Sequence, residues 1–230
     1  WSIVNGQLSM VNGEEAMAGA DAAFWDELFA GLAVVEAAPE QHWIEQVLPD
    51  AAARAALAGR VLELGCGLGH DTRWLVQAGG QVTALDGSAV ALARLGAALP
   101  GPEYVHHHLP APLPFPAASF DAVAAGLSLH YFAWDDTLAV MHEVHRVLRP
   151  GGLLVFSVNA SGDAEFGYGR GVEVEPGLFA CDGRRKRFFT EADCRRLLAS
   201  GWDLLALRPL EEQRFGRLKR MWIAAARRSR

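Results

Sequence analysis

The strongest constraint on this chain is a glycine-rich turn set between a short apolar run and a helix. Residues 60–64 (RVLEL) read as a buried strand, and they lead straight into Gly65-Cys66-Gly67-Leu68-Gly69. His70 and Asp71 then open a helical stretch over 71–78. Glycines accept positive φ and carry no side chain, so a turn of this kind lets backbone N–H groups come close to a ligand. It belongs to a strand–turn–helix unit of an α/β sheet, whose ligands gather at the carboxyl ends of the strands where the strand order reverses. The next apolar run, 81–85 (QVTAL), ends in Asp86, 19 residues beyond Gly67. That is close to the spacing of ~20 at which an acidic residue accepts hydrogen bonds from the hydroxyls of a ribose.

The rest of the chain repeats this grammar. Ser88 is a suitable N-cap for a helix over 89–99, and a third strand follows at 104–108. A proline-studded loop, 109–116, precedes a fourth strand at 120–125 (FDAVAA). Asp135 is placed to cap a helix running to Leu148, which Pro150-Gly151-Gly152 stops. A fifth strand covers 153–158, and a Gly/aromatic loop spans 160–187. Thr190 can cap a helix over 191–200, and two last strands, 204–209 and 220–226, are close enough to run antiparallel. Strands alternating with helices predict a mainly parallel sheet covered on both faces. Ahead of it, residues 1–20 lack periodicity and are expected to order poorly. Apolar and aromatic residues at helical spacing over 21–48 predict two helices split by Pro39, followed by a third at 51–58.

Two departures bear on the ligand. A dinucleotide site wants glycine at the first, third and sixth positions of the turn, and counting from Gly65 the sixth is His70. Glu63 places a carboxylate just before the glycines, which suits a cationic amino-acid group better than a pyrophosphate. Both favour a sulfonium nucleoside over NAD. The segments VLELGCGLGHDT, VTALDGSAVAL, LPFPAASFDAV, GLSLHYF and HEVHRVLRPGGLLVFSV, in this order over about residues 58–226, resemble the class I S-adenosylmethionine-dependent methyltransferase superfamily, of the small-molecule type.

The resemblance implies a doubly wound seven-stranded sheet, mainly parallel with an antiparallel last strand, helices on both faces and an N-terminal helical lid. It divides the chain into a flexible segment 1–20 and a single domain 21–230. That domain would comprise a lid (21–58), a cofactor core (59–159), a substrate loop (160–188) and a C-terminal helix and hairpin (189–230). Glu63, Gly65, Cys66, Gly67 and Gly69 would wrap the methionine portion of S-adenosylmethionine. Asp86 would hold the ribose, Gly87 and Ser88 would lie beside the adenine, and Gly126 and Leu127 would complete the floor. Similar proteins carry an acidic residue after strand three to accept from the adenine amino group; here that position is His108, whose neutral imidazole or the neighbouring Leu109 backbone would take over. S-adenosylhomocysteine would be the product.

Methyl transfer is an in-line displacement in which alignment does much of the work, on the order of 7–11 kcal/mol in favourable cases. A base helps only when the acceptor is not already a nucleophile. His130 in GLSLHYF is the candidate base, with packing against Tyr131 as its alternative role. Trp25, His130, Tyr131, Tyr168 and Arg170 are the candidate acceptor-pocket residues. Consecutive residues of the run 106–108 (HHH) point to opposite strand faces and lack a carboxylate neighbour in sequence, so no metal site is expected. Arg184-Arg185-Lys186-Arg187 reads as a solvated turn rather than a phosphate clamp.

Charge and cysteine usage narrow the partners. The net charge of −6 is uneven: residues 1–183 carry 7 Lys/Arg against 22 Asp/Glu, and residues 184–230 carry 14 against 5. A basic tail can meet RNA or an anionic substrate, but the acidic body would repel a long polyanion, so nucleic acid is disfavoured. Cys66, Cys181 and Cys194 form no metal or disulfide spacing. No apolar run approaches the ~18 residues of a membrane span, and the start lacks the basic-then-apolar order of a secretion signal. The expectation is a cytoplasmic monomer or homodimer acting on a small-molecule methyl acceptor. An RNA or protein methyltransferase, an NAD(P)-dependent oxidoreductase and a cofactor-binding module without turnover are the alternatives.

Overall fold

The computed structural model describes residues 14–34 and 42–229 and two three-residue strands, Ser2–Val4 and Gln7–Ser9, with side chains described from residue 23 onward within those bounds. Seven strands form the main sheet: β1 (Arg60–Leu64), β2 (Gln81–Asp86), β3 (Glu103–His106), β4 (Phe120–Gly126), β5 (Leu148–Asn159), β6 (Trp202–Arg214) and β7 (Arg217–Arg228). Their spatial order is β6-β7-β5-β4-β1-β2-β3. The first five are parallel, and β7 inserts antiparallel between β5 and β6. This is the doubly wound sheet with an antiparallel last strand that the sequence predicts. The chain winds one way from β1 to β2 and the other way to β4, so a ligand crevice opens between their carboxyl ends.

Alternation along the strands builds two cores. Leu62, Leu64, Val123, Ala125, Leu154 and Phe156 point to one face, beneath α6 (Trp134–Val147) and α7 (Glu191–Leu197). Val61, Ala122, Ala124, Leu153 and Val155 point to the other, beneath α2 (Trp43–Val47), α3 (Ala51–Ala56), α4 (His70–Gln77) and α5 (Ala89–Ala98). Each large apolar side chain taken fully out of water contributes roughly 1.5–3 kcal/mol, which is why near-continuous apolar runs such as 153–158 settle in the centre.

Local signals hold at several helix ends. Ser88 Oγ accepts from Ala91 N–H at 3.1 Å to cap α5, and Thr190 forms a reciprocal capping box with Asp193 on α7. Asp135 is not the cap of α6: that position is Ala133, and Asp135 and Asp136 lie in the first turn.

Larger differences lie outside the sheet. The helix expected to begin at 21 begins seven residues earlier, as α1 (Glu14–Gly31). The break expected at Pro39 falls outside the described residues, and the helix resumes at Trp43. The expected loop 160–187 instead holds a three-stranded antiparallel meander, Val172–Glu175, Leu178–Cys181 and Arg184–Arg187. Its approach is anchored by the buried Lys219 of β7, whose Nζ donates to Asn159 Oδ1 and Asp163 Oδ2, each at 2.5 Å. Among the described residues no helix is long and apolar enough to cross a membrane.

Candidate functional site

The glycine turn sits at the switch point because the end of β2 holds it there. Gly65 and Cys66 N–H both donate to Leu85 O, at 2.8 and 3.1 Å. Gly65 (φ 73°) could carry no side chain, since a Cβ would meet Ser128 Cβ at 2.6 Å. Gly126, at the end of β4, is equally constrained: a Cβ there would lie 1.8 Å from Asp71 Oδ2. Asp86 accepts backbone N–H groups on both oxygens, Oδ2 from Gly67 and Oδ1 from Ser88, both at 2.8 Å, with Gly87 N–H also near the carboxylate. The carboxylate thus keeps acceptor capacity for a further donor.

These elements face a cavity of about 1300 Å³. Glu63, Gly65, Cys66, Gly67, Asp86, Gly87, His108, Leu109, Gly126 and Leu127 all line it, as do Trp25 and Tyr131. Glu63 is 2 % exposed, and its Oε2 has no hydrogen-bond partner among the described residues. Burial, then the charges of Asp71 and Asp86, push its carboxyl well above the ordinary range. Burial also raises Asp86, with the N–H groups of Gly67, Ser88 and Gly87 opposing it. Burial and the Glu63 and Asp86 charges push the Cys66 thiol up, so it is no thiolate nucleophile.

Asp71 is the hub of the cavity wall. Its Oδ1 lies 3.0 Å from Trp43 Nε1–H, 3.0 Å from His42 Nε2 and 3.1 Å from His70 Nδ1. Burial acts upward on Asp71, but His42 and His70 outweigh it and hold the carboxyl well below its ordinary value. His42, His70 and Asp71 are near enough to suggest a cation site. The tautomer argues otherwise. Ile44 N–H donates to His42 Nδ1, so the proton sits on Nε2, facing Asp71, and leaves no lone pair there for a metal.

Helix α1 closes the cavity from above. Trp25 stacks on Phe29 at 5.6 Å and meets Tyr131 edge-on at 4.9 Å. The Phe29 ring comes within 3.3 Å of where a Cβ at Gly67 would stand. Two polar latches fix α1 to α5. Asp26 Oδ1 accepts from Ser88 Oγ at 2.5 Å and from Val90 N–H at 3.2 Å, while Arg94 donates to the carbonyls of Phe29 and Ala30.

Five of the sequence-derived site residues do not line the cavity. Gly69 (φ 89°) turns the chain into α4, and the Ser88 hydroxyl is occupied by Ala91 and Asp26. His130 is 3 % exposed and lies behind Tyr131, its ring centroid 4.2 Å away. Burial, with Lys219, Lys186 and Arg214 nearby, drives its pKa well below the ordinary value. Enclosed behind Tyr131, the imidazole does not line the cavity, so packing against Tyr131 is the role its position supports. Tyr168 packs on Phe179 and Phe188 of the meander, and Arg170 is exposed on the approach to it. Phe29, Trp43, His70, Asp71, Asp136, Arg185, Arg214 and Phe215 also line the cavity and were not among the sequence-derived site residues. His70 and Asp71 adjoin the glycine turn, whereas Arg185 and Arg214 are brought in by the meander and the β6–β7 hairpin.

Known proteins agree with this geometry. The family profile described as a methyltransferase domain matches residues 62–156. An uncharacterised methyltransferase of Synechocystis sp. is 39% identical over 94 residues, 41% of this chain and 44% of that protein. A malonyl-[acyl-carrier protein] O-methyltransferase of Enterobacter lignolyticus is 39% identical over 103 residues, 44% of this chain and 39% of the relative. The matched part thus spans about two fifths of these relatives' length. Among solved structures, an S-adenosylmethionine-dependent methyltransferase of Mesorhizobium loti superposes with a TM-score of 0.57 at 27% identity, over 77% of this chain and 96% of that one. The 1,6-didemethyltoxoflavin-N1-methyltransferase of Burkholderia thailandensis gives a TM-score of 0.66 at 22% identity, over 97% of this chain and 93% of that one. The sheet order, the glycine turn and the acid after β2 agree with these likenesses: residues 62–156 match a methyltransferase domain, and the chain has the fold of S-adenosylmethionine-dependent methyltransferases.

Proposed function

We propose that this chain transfers a methyl group from S-adenosylmethionine to an O, N or S atom of a small molecule by in-line displacement. The observation that carries the proposal is one continuous cavity running from Asp86 to the Trp25–Tyr131 wall. Its volume of about 1300 Å³ exceeds the roughly 300–1,000 Å³ of a single-ligand pocket, leaving room for donor and acceptor together. The residues present fit the donor. The unpartnered Oε2 of Glu63 would take the ammonium of its amino-acid end, and the remaining acceptor capacity of Asp86 would take the ribose hydroxyls. When bound, the donor supplies a methyl group activated by a sulfonium. Trp25, Phe29 and Tyr131 would exclude water and orient the acceptor, and no general base is assigned.

The Burkholderia enzyme of similar fold is described with bound 1,6-didemethyltoxoflavin and S-adenosylhomocysteine, and the aromatic walls of the cavity here suit a small acceptor. A polymer acceptor draws less support, because much of the basic C-terminal charge is engaged inside the protein. Arg187 donates to Phe132 O and Pro176 O, Lys219 pairs with Asp163, and Arg227 and Arg228 donate to Gly151 O and Leu148 O. Incubation with methyl-labelled S-adenosylmethionine and fractionated cell extract tests the proposal. Label should enter the small-molecule fraction; label confined to RNA or protein would overturn the acceptor class.

A further inference from the structure

The meander strand Arg184–Arg187 carries four consecutive cations, and each has a different environment. Arg187 is buried, donates to the carbonyls of Phe132 and Pro176, and pairs with Glu175. Arg184 lies over the Phe24 ring of α1 at 4.5 Å, and Lys186 Nζ reaches only the Phe166 carbonyl, at 3.5 Å. Arg185 lines the cavity, half-buried, with no hydrogen bond, ion pair or ring contact among the described residues. A guanidinium partly withdrawn from water without an acceptor is an unfavourable arrangement unless a ligand completes it.

The surroundings specify that ligand. Arg214, on the same cavity wall, is 3.0 Å from Glu212. The charges acting on the Tyr131 phenol are Arg184 and Arg214 on one side and Asp86 on the other. Those acting on His130 behind it are Lys219, Lys186 and Arg214. Glu63, Asp71 and Asp86 stand at the donor end of the cavity and Glu212 pairs with Arg214, which leaves Arg185 as the lining cation without a paired carboxylate among the described residues. The Tyr131 hydroxyl has no hydrogen-bond partner among the described residues, and Trp25, Phe132 and Phe215 make the remaining surface apolar. One free guanidinium, a phenol and apolar walls match a singly charged planar anion on an apolar body. A phosphate dianion would call for more free cations.

We infer that the acceptor is a small carboxylic acid, held by its carboxylate against Arg185 with support from the Tyr131 hydroxyl. This rests on the proposed methyl transfer and names its substrate class. It turns the basic run from a solvated turn into a recognition element, and Arg185 becomes a specificity-determining residue.

A ligand-observed NMR screen of fragments in matched pairs, each carboxylic acid beside its primary amide, tests the inference on protein loaded with S-adenosylhomocysteine. Acids should bind and their amides should not. Arg185→Gln should weaken the bound acids at least tenfold and leave S-adenosylhomocysteine affinity within twofold, with Arg185→Lys intermediate. Equal binding of acids and amides, absence of any bound acid, or acids that survive Arg185→Gln would overturn the inference. Failure of S-adenosylhomocysteine itself to bind would instead overturn the methyltransferase proposal, so the two outcomes are separable.

Discussion

Glu63 is a carboxyl group kept out of water beside two other acids, and its oxygen Oε2 has no hydrogen-bond partner among the described residues. Its folded-state pKa lies above the unfolded value, so between the two the folded chain holds more protons than the unfolded one. Stability of the ligand-free protein must then fall as pH rises through that interval. Glu63→Gln cannot ionise, so its melting temperature should exceed that of the wild type increasingly from pH 5 to pH 8. A difference of about 1 kcal/mol corresponds to roughly 2–4 °C in a chain of this size. The same variant should bind S-adenosylhomocysteine at least tenfold more weakly at pH 8. Thermal denaturation at both pH values, with and without the ligand, checks the pair; a pH-independent difference would contradict the reading. Glu63 and Asp86 were legible in sequence because they bracket the glycine turn at fixed spacing. Arg185 was not, because four consecutive cations look alike until strand alternation puts 185 and 187 on one face and 184 on the other.

Among the elements, α1 matters most to the site, and among its described residues polar latches hold it to α5. Asp26 is held below its ordinary pKa chiefly by the Ser88 hydroxyl. A carboxylate of that kind stabilises above its unfolded pKa of about 3.9 and loses its effect only as pH falls through the folded value, so the latch persists from pH 5 to 8. Replacing Asp26 and Arg94 together by Ala should speed amide exchange over residues 23–31 and weaken S-adenosylhomocysteine about three- to tenfold. The melting temperature should fall only slightly, since the two sheet cores are untouched. Unchanged exchange in α1 would remove the latch from the account. A helix was legible here from aromatic spacing, and a lid only from the resemblance; the fastening was not legible, because Asp26 and Ser88 are 62 residues apart. The meander had a local signal that the loop assignment passed over. Pro176-Gly177 and Asp182-Gly183 are hairpin dipeptides, and Asp182 and Gly183 both take positive φ, 51° and 74°.

For the whole molecule, the order of the sheet does what no single motif can. It brings the turn after β1, the acid after β2 and the floor after β4 to one edge, and it sends the C-terminal hairpin back beside β5 so that Arg214 and Phe215 reach the same cavity. The donor half of the site follows from neighbouring segments, which is why the sequence could describe it. The acceptor half is assembled from α1, the meander and the hairpin tip, segments spread over about 190 residues, and only the folded chain shows them together. The central claim is that this cavity takes S-adenosylmethionine with Asp86 on its ribose. Calorimetric titration with S-adenosylhomocysteine tests it most directly. Charge-assisted hydrogen bonds contribute about 1.5–3 kcal/mol each, so Asp86→Ala should weaken binding on the order of 100-fold or more. One molecule should bind per chain of the wild type and NADH should not bind. Tight NADH binding without S-adenosylhomocysteine binding, or an Asp86→Ala variant that binds as well as the wild type, would contradict the account.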